Sequence, residues 1–246
     1  MASTEKSPGR RRRGDGRRRR QRDPRRRRRL VVALGVLGVL VVLAAVAAFS
    51  PLFQVRDIEV EGNGHLTDEQ VIAAASPVEG QNLLFADTAG AARSVSELPW
   101  VEKVTVSRDW PAGVRVSVTE YDAVGVLDGG DGGDGGPLVI NERGKVFLRG
   151  ESPEGAVAVR ASADDAGALT AAGETLGALP AELRATVEEV EVPSSQEVTL
   201  RFAEGREVYW GSADRAEEKA EATRVVLTRE GQRWNVSNPA LPSVRD

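Results

Sequence analysis

Side chains that could carry chemistry are sparse in this sequence. It contains no cysteine and a single histidine, His65. Disulfides, thiolate nucleophiles and sulfur-ligated metals are therefore excluded, and a single histidine makes a histidine-dependent triad or a multi-histidine zinc site nearly untenable. The carboxylate pairs Asp164/Asp165, Glu188/Glu189 and Glu217/Glu218 are chain neighbours whose side chains point in different directions. Nothing around them suggests a raised pKa or a concave site, so they read as solvated surface. Ser194 and Ser195 lack the G-x-S-x-G context of an activated serine, and no glycine-rich phosphate loop occurs. The glycine run carrying Asp128, Asp131 and Asp134 has the composition of a calcium loop. It lacks the bidentate glutamate of an EF-hand and the repeats of a β-roll, and reads as a flexible hairpin loop. Asn235, Val236 and Ser237 match a glycosylation acceptor by chance, because they fall in an alternating strand. No catalytic constellation, metal site or cofactor site is expected, and most enzyme classes drop out.

The elements explain what the chain has in place of catalysis. Of 246 residues 41% are hydrophobic and 4% aromatic, so the cores must be aliphatic, with few rings for stacking nucleobases. The formal charge of −4 hides an asymmetry: residues 1–29 hold 15 basic and 3 acidic groups, whereas residues 51–246 hold 18 and 34. A basic head and an acidic remainder suit different compartments. The like-charge arginine blocks within residues 1–29 cannot bury a core and predict a disordered tail. Residues 30–49 carry no charge, and at about 1.5 Å per residue they span roughly 30 Å of hydrocarbon, which predicts a transmembrane helix over 30–50. The arginine flank places the N-terminus in the cytoplasm and residues beyond 51 outside it. The competing reading is a cleaved signal, which would release a secreted cell-wall-associated enzyme or binding domain. An apolar stretch longer than the usual secretory core of about 7–15 residues favours the uncleaved anchor. The arginine tail is suited to anionic lipid at the inner leaflet rather than to nucleic acid, and topology alone also accounts for it.

Beyond the span, residues 55–60 read as a strand ending in the turn formers Gly62, Asn63 and Gly64. Thr67 and Gln70 have capping-box spacing before an apolar helical stretch, and a second helix fits residues 87–98, with Asp87 as its cap and Pro99 as its stop. Residues 101–108 and 114–120 alternate around a hairpin turn. The order strand, helix, helix, strand, strand gives a compact domain with an open sheet edge, Trp100 and Trp110 serving as core and turn anchors. The second half is mixed: strands at 123–127, 138–140, 146–148 and 157–160, a helix at 166–179, strands at 187–192, 197–202 and 207–210, a helix at 214–229, and a last strand at 233–237.

These residues resemble a known family. Phe53, Gln54 and Val55, Ile58 through Asn63, Leu66 and Thr67, Gly80 through Leu84, Leu98 through Val101, and Arg108 through Pro111 are similar to the bacterial cell division family FtsQ/DivIB, of actinobacterial type. Gly144, Lys145 and Val146, the run Gly205 to Gly211, Lys219, and the run Val236 to Pro242 resemble landmarks of its C-terminal domain. Asn141 and Asn235 stand where that family often has aspartate, and Glu120, Tyr121, Asp122 and Ala123 lack its usual arginine and proline at the domain junction.

The resemblance implies an α+β architecture: a cytoplasmic tail (1–29), one transmembrane helix (30–50), a POTRA domain (53–121), a mixed β domain with helices (122–242) and a tail (243–246). It implies a non-enzymatic divisome scaffold at the division septum. Its partners would be coiled-coil membrane proteins of the FtsB/DivIC and FtsL types, with septal peptidoglycan synthases in reach. An open final strand can accept a partner segment by β-augmentation, which makes Trp234, Asn235, Val236 and Ser237 the expected binding residues.

Overall fold

A computed structural model describes residues 24–48, 50–129 and 136–244. The bulk of the arginine tail and of the aspartate-glycine run lies outside the described residues, as do the last two positions. Two units are present, divided after Leu52.

The first unit is dominated by helix α1, Pro24–Ala48. Within it residues Arg27–Val46 form an apolar, wholly exposed stretch long enough to cross a membrane. The helix starts six residues before the charge-free segment, so residues 24–29 are helical, against the expectation of a disordered tail through 29. Proline costs nothing at the first helical position, and arginine is a good helix former that a stable apolar helix can extend into.

The second unit begins with the POTRA order expected from the alternation: β1 (Asp57–Glu61), α2 (Asp68–Ala75), α3 (Thr88–Ser96), β2 (Val101–Asp109) and β3 (Gly113–Glu120). The sheet order is β1-β3-β2, β1 running parallel and β2 antiparallel to β3. Val114, Val116 and Val118 of β3 face the helices and are buried, meeting Val71, Ala75, Ala91 and Val95. Thr67 and Gln70 form the capping box, and the Asp87 carboxylate accepts from Gly90 N–H at 2.8 Å.

A nine-stranded sheet follows. Its elements are β4 (Gly125–Leu127), β5 (Leu138–Ile140), β6 (Val146–Arg149), β7 (Val157–Ala161), α4 (Ala166–Ala178), α5 (Ala181–Arg184), β8 (Val187–Ser194), β9 (Glu197–Phe202), β10 (Arg206–Gly211), α6 (Ala216–Val226), β11 (Arg233–Asn235) and β12 (Ser243–Val244). The order across the sheet is β12-β11-β10-β9-β8-β7-β4-β5-β6. At about 4.8 Å per strand, β12 lies roughly 38 Å from β6. The core beneath α4 and α6 is mainly aliphatic, with Trp210, Trp234 and Phe202 as its large rings. Helix α4 approaches the turn before β6 so closely that a Cβ at Gly173 would stand 2.2 Å from the Gly144 nitrogen, and one at Gly144 would meet Leu169 O at the same distance. Neither position tolerates a side chain there.

The two lobes share a core. In β5, buried along its whole length, Leu138 and Ile140 enter the sheet core while Val139, with Leu148 of β6, packs into the POTRA core. A ring stack reinforces the junction: His65 lies flat on Trp100 at 3.8 Å, Trp100 meets Phe147 edge-on at 5.3 Å, and Phe147 meets Tyr121 at 4.9 Å. Tyr121 and Asp122, which depart from the family pattern, hold the same junction by other means. The Lys145 ammonium donates to the Tyr121 hydroxyl at 2.5 Å, and Arg184 pairs with Asp122 at 3.2 Å.

Candidate functional site

The far end of the large sheet is built from β10 outward. Gly211 ends β10 at φ +70°, and Arg215 sits in the left-handed region before α6. The helix is then fastened to β10 at both ends. Lys219, buried on its first turn, donates to Ser212 O at 2.8 Å. Burial pushes its ammonium below the ordinary lysine range; Asp214 opposes that shift and Arg215 adds to it. At the other end Arg206 donates to the carbonyls of Leu227 (2.9 Å) and Arg229 (3.2 Å), a cation on the open carbonyls of a helix C-terminus. Between the two, Trp210 Nε1 donates to Thr223 Oγ1 at 2.9 Å, and Thr223 donates to Lys219 O at 2.8 Å. The run Gly205 to Gly211 and Lys219 thus form one device that returns the chain alongside β10.

β11 therefore pairs parallel to β10, Val208 opposite Trp234 and Tyr209 opposite Asn235, and Val236 N–H extends the ladder to Tyr209 O at 2.8 Å. Asn235 Oδ1 accepts from Ser237 N–H at 2.9 Å, and Leu241 N–H closes a turn on Asn238 O at 3.0 Å. The chain reverses and β12 pairs antiparallel to β11, Val244 opposite Trp234 and Ser243 opposite Asn235.

This corrects the expectation of an open last strand at 233–237. β11 is paired on both flanks, and residues 243–244, expected as tail, form the outer strand. Trp234 and Val236 are buried in the sheet core, Asn235 is half-buried and Ser237 exposed. The reason is the Asn238 turn with Pro239 and Pro242, which folds the end back as a cover too short to leave a periodic signal. The indole Nε1 of Trp234 is buried without a hydrogen-bond partner.

What the geometry leaves open is the rim. Leu241 is 76% exposed and Val244 57% exposed, with Val225 of α6 partly open nearby. A largely apolar groove of about 550 Å³ runs between α6 and the terminal segment, formed by Ala222, Val225, Pro239, Ala240 and Pro242, with glutamates of α6 and Arg229 along it. Exposed apolar side chains and unpaired strand backbone are features through which a sheet edge can receive another polypeptide. Among the described residues no cluster of histidine, aspartate or glutamate could hold a metal ion. The asparagines that depart from the family's aspartates use only an oxygen: Asn141 Oδ1 accepts from Arg143 and Lys145 N–H, both at 3.0 Å, as Asn235 accepts from Ser237. At half-buried Asn235 a carboxylate could accept the same bond.

One apolar span, a POTRA lobe and a sheet lobe ending in a short edge define a single-pass, two-lobed binding protein. Residues 53–121 match the POTRA domain of FtsQ type, and residues 131–236 match the C-terminal domain of cell division protein FtsQ/DivIB. The chain belongs to the FtsQ/DivIB family of cell division proteins. It is 36% identical over 222 residues to cell division protein FtsQ of Corynebacterium glutamicum, covering 88% of this chain and 98% of that one. To the FtsQ proteins of Mycobacteroides abscessus and Mycolicibacterium smegmatis it is 34% and 33% identical over 82% and 83% of its own length, and it spans 65% and 61% of theirs.

Proposed function

We propose that this cell division protein is a non-enzymatic scaffold, fixed in the membrane by α1 with its tail in the cytoplasm and both lobes outside. At the division septum it receives coiled-coil membrane proteins of the FtsB/DivIC and FtsL types and so bears on septal peptidoglycan synthesis. The single observation that carries this reading is the end of the large sheet. A nine-stranded ladder stops at a strand of two residues, with Leu241 and Val244 open beside it. Unpaired edge backbone is a template for another chain. A partner segment adds to the outer side of β12, its main-chain groups giving affinity and its side chains reading the rim.

Trp234, Asn235, Val236 and Ser237 remain part of the proposed site, in a role different from direct contact. They hold the ribbon flat against β10, and Ser237 offers the exposed hydroxyl of the group. The arginine tail engages anionic lipid on the cytoplasmic side. Orientation follows from that flank.

Photo-crosslinkers placed singly at Leu241 and Val244 of the full-length chain in dividing cells test the reading. Capture of a small coiled-coil membrane protein is expected. Capture only from β1 would move the docking site to the POTRA lobe.

A further inference from the structure

The large side chains left exposed between residues 53 and 244 fall in two groups, the rim just described and a second at one end of the POTRA lobe. Leu84 is 42% exposed, Phe85 73% and Trp110 55%. Phe53 joins them, its ring meeting Trp110 edge-on at 5.7 Å. Main-chain bonds bring the four together: Leu83 N–H donates to Phe53 O at 2.6 Å, and Gln54 bridges Asn82. Trp110, expected as a turn anchor, sits at the tip of the β2–β3 hairpin with its ring against Phe53 and largely in the open.

Three of the charged side chains near this group, Arg108, Asp87 and Asp109, are engaged within the lobe. Arg108 turns inward, donating from Nε to Leu83 O at 2.6 Å and from Nη2 to Ala86 O at 3.0 Å. Asp87 caps α3, and Asp109 pairs with Arg115 at 3.3 Å. The patch is therefore apolar at its centre, and the loop that presents it is pinned.

Its place in the chain names its occupant. The apolar stretch of α1 ends at Val46 and the second unit begins at Phe53. Seven residues reach at most about 25 Å, and the turn at Pro51–Phe53 shortens that reach. Phe53 is thus tethered within a short distance of the headgroup layer, where tryptophan is favoured because its ring is apolar and its N–H polar, and where phenylalanine and leucine can seat their apolar side chains at the acyl boundary.

We propose that this end of the POTRA lobe is a membrane-contact surface, with Phe53, Leu84, Phe85 and Trp110 seated in the headgroup region of the leaflet from which the chain emerges. The proposal rests on the reading that α1 spans the bilayer. The contact makes the anchor two-point and limits how the lobes can swing about the tether.

Because the sequence has no cysteine, single labels are unambiguous. The full-length chain carries an environment-sensitive fluorophore at Ala112→Cys, beside Trp110, and is placed in phosphatidylcholine vesicles containing a nitroxide lipid. Quenching at position 112 should exceed that of a Glu230→Cys label by about threefold, and should fall to the Glu230 level in the Phe85→Ser/Trp110→Ser background. A Val39→Cys label reports the span. Quenching at 39 with none at 112 beyond the Glu230 level overturns the membrane contact and leaves the spanning reading intact. Absence of quenching at both 39 and 112 overturns both. Shielding of 112 from a soluble quencher that grows with protein density, without lipid quenching, assigns the patch to a second copy and also overturns the proposal.

Discussion

The POTRA lobe and the sheet lobe each leave apolar side chains uncovered at one end, and they hold those side chains in opposite ways. In the POTRA lobe, Leu84, Phe85 and Trp110 ride on a loop locked by the Arg108 guanidinium and on a hairpin of strands nine and eight residues long. At the other end, Leu241 and Val244 ride on a ribbon whose last strand has two residues and one neighbour. Apolar rings carried on a pinned loop and a hairpin tip suit the lipid contact proposed above, which needs no hydrogen-bond register. A loosely paired ribbon with open backbone suits another polypeptide. The sheet between them, pinned to the POTRA core through Val139 and Leu148, works as a spacer.

The comparison can be broken most forcefully from the core. Trp210→Ala should cost about 3–5 kcal/mol, by lost burial and by orphaning Thr223, and denaturant unfolding of the full-length chain in detergent measures it. Both the rim and the POTRA patch would suffer through the shared core. Arg206→Ala and Arg108→Ala sharpen the contrast, each costing about 1.5–3 kcal/mol for lost charged hydrogen bonds. The first should abolish crosslinking from Val244 while leaving lipid quenching near Trp110. The second should do the reverse.

Glu120→Gln is the next smaller effect. Burial works against its charge, but the N–H groups of His65, Leu66 and Gly64, together with the His65 ring, hold its carboxyl below the usual carboxylate range. The depressed folded value stabilises the POTRA lobe fully above the unfolded value, near 4.5, and that stability is lost as the pH falls through the folded value. The variant should be less stable by about 1–2 kcal/mol at pH 7, with the gap closing in acid, which thermal melts across pH read directly. Least of all, Asn235→Asp should change stability by less than about 0.5 kcal/mol, since either side chain accepts from Ser237 N–H.

Sequence carried the local structure well and the long-range pairing poorly. Alternating valines place β2 and β3, and the Thr67/Gln70 spacing announces α2, because those signals depend on neighbours in the chain. Nothing local says that β5 is buried on both faces by two different cores. The parallel match of β10 with β11 across α6 is equally silent, as it is fixed by Arg206 and Lys219 gripping the helix. At the proposed site, the last long strand was legible and its outer neighbour was not. Residues 233–237 carried a clear strand pattern, whereas Ser243 and Val244 are too few to show any period. Trp110 was legible as a residue of the β2–β3 turn, whereas the exposure of its ring was not, because a tryptophan beside proline looks the same in sequence whether its ring is covered or open.

The claim on which the account turns is that the two-residue edge is where a partner strand attaches. Amide hydrogen exchange of the full-length chain, alone and with the extracytoplasmic segment of an FtsB/DivIC-type partner, measures it directly. Amides at Ser243 and Val244 should exchange fast in the free protein and become protected on binding, together with those of Ser237, Asn238, Ala240 and Leu241. Protection confined to β1 or β2, with the terminal ribbon unchanged, would contradict it.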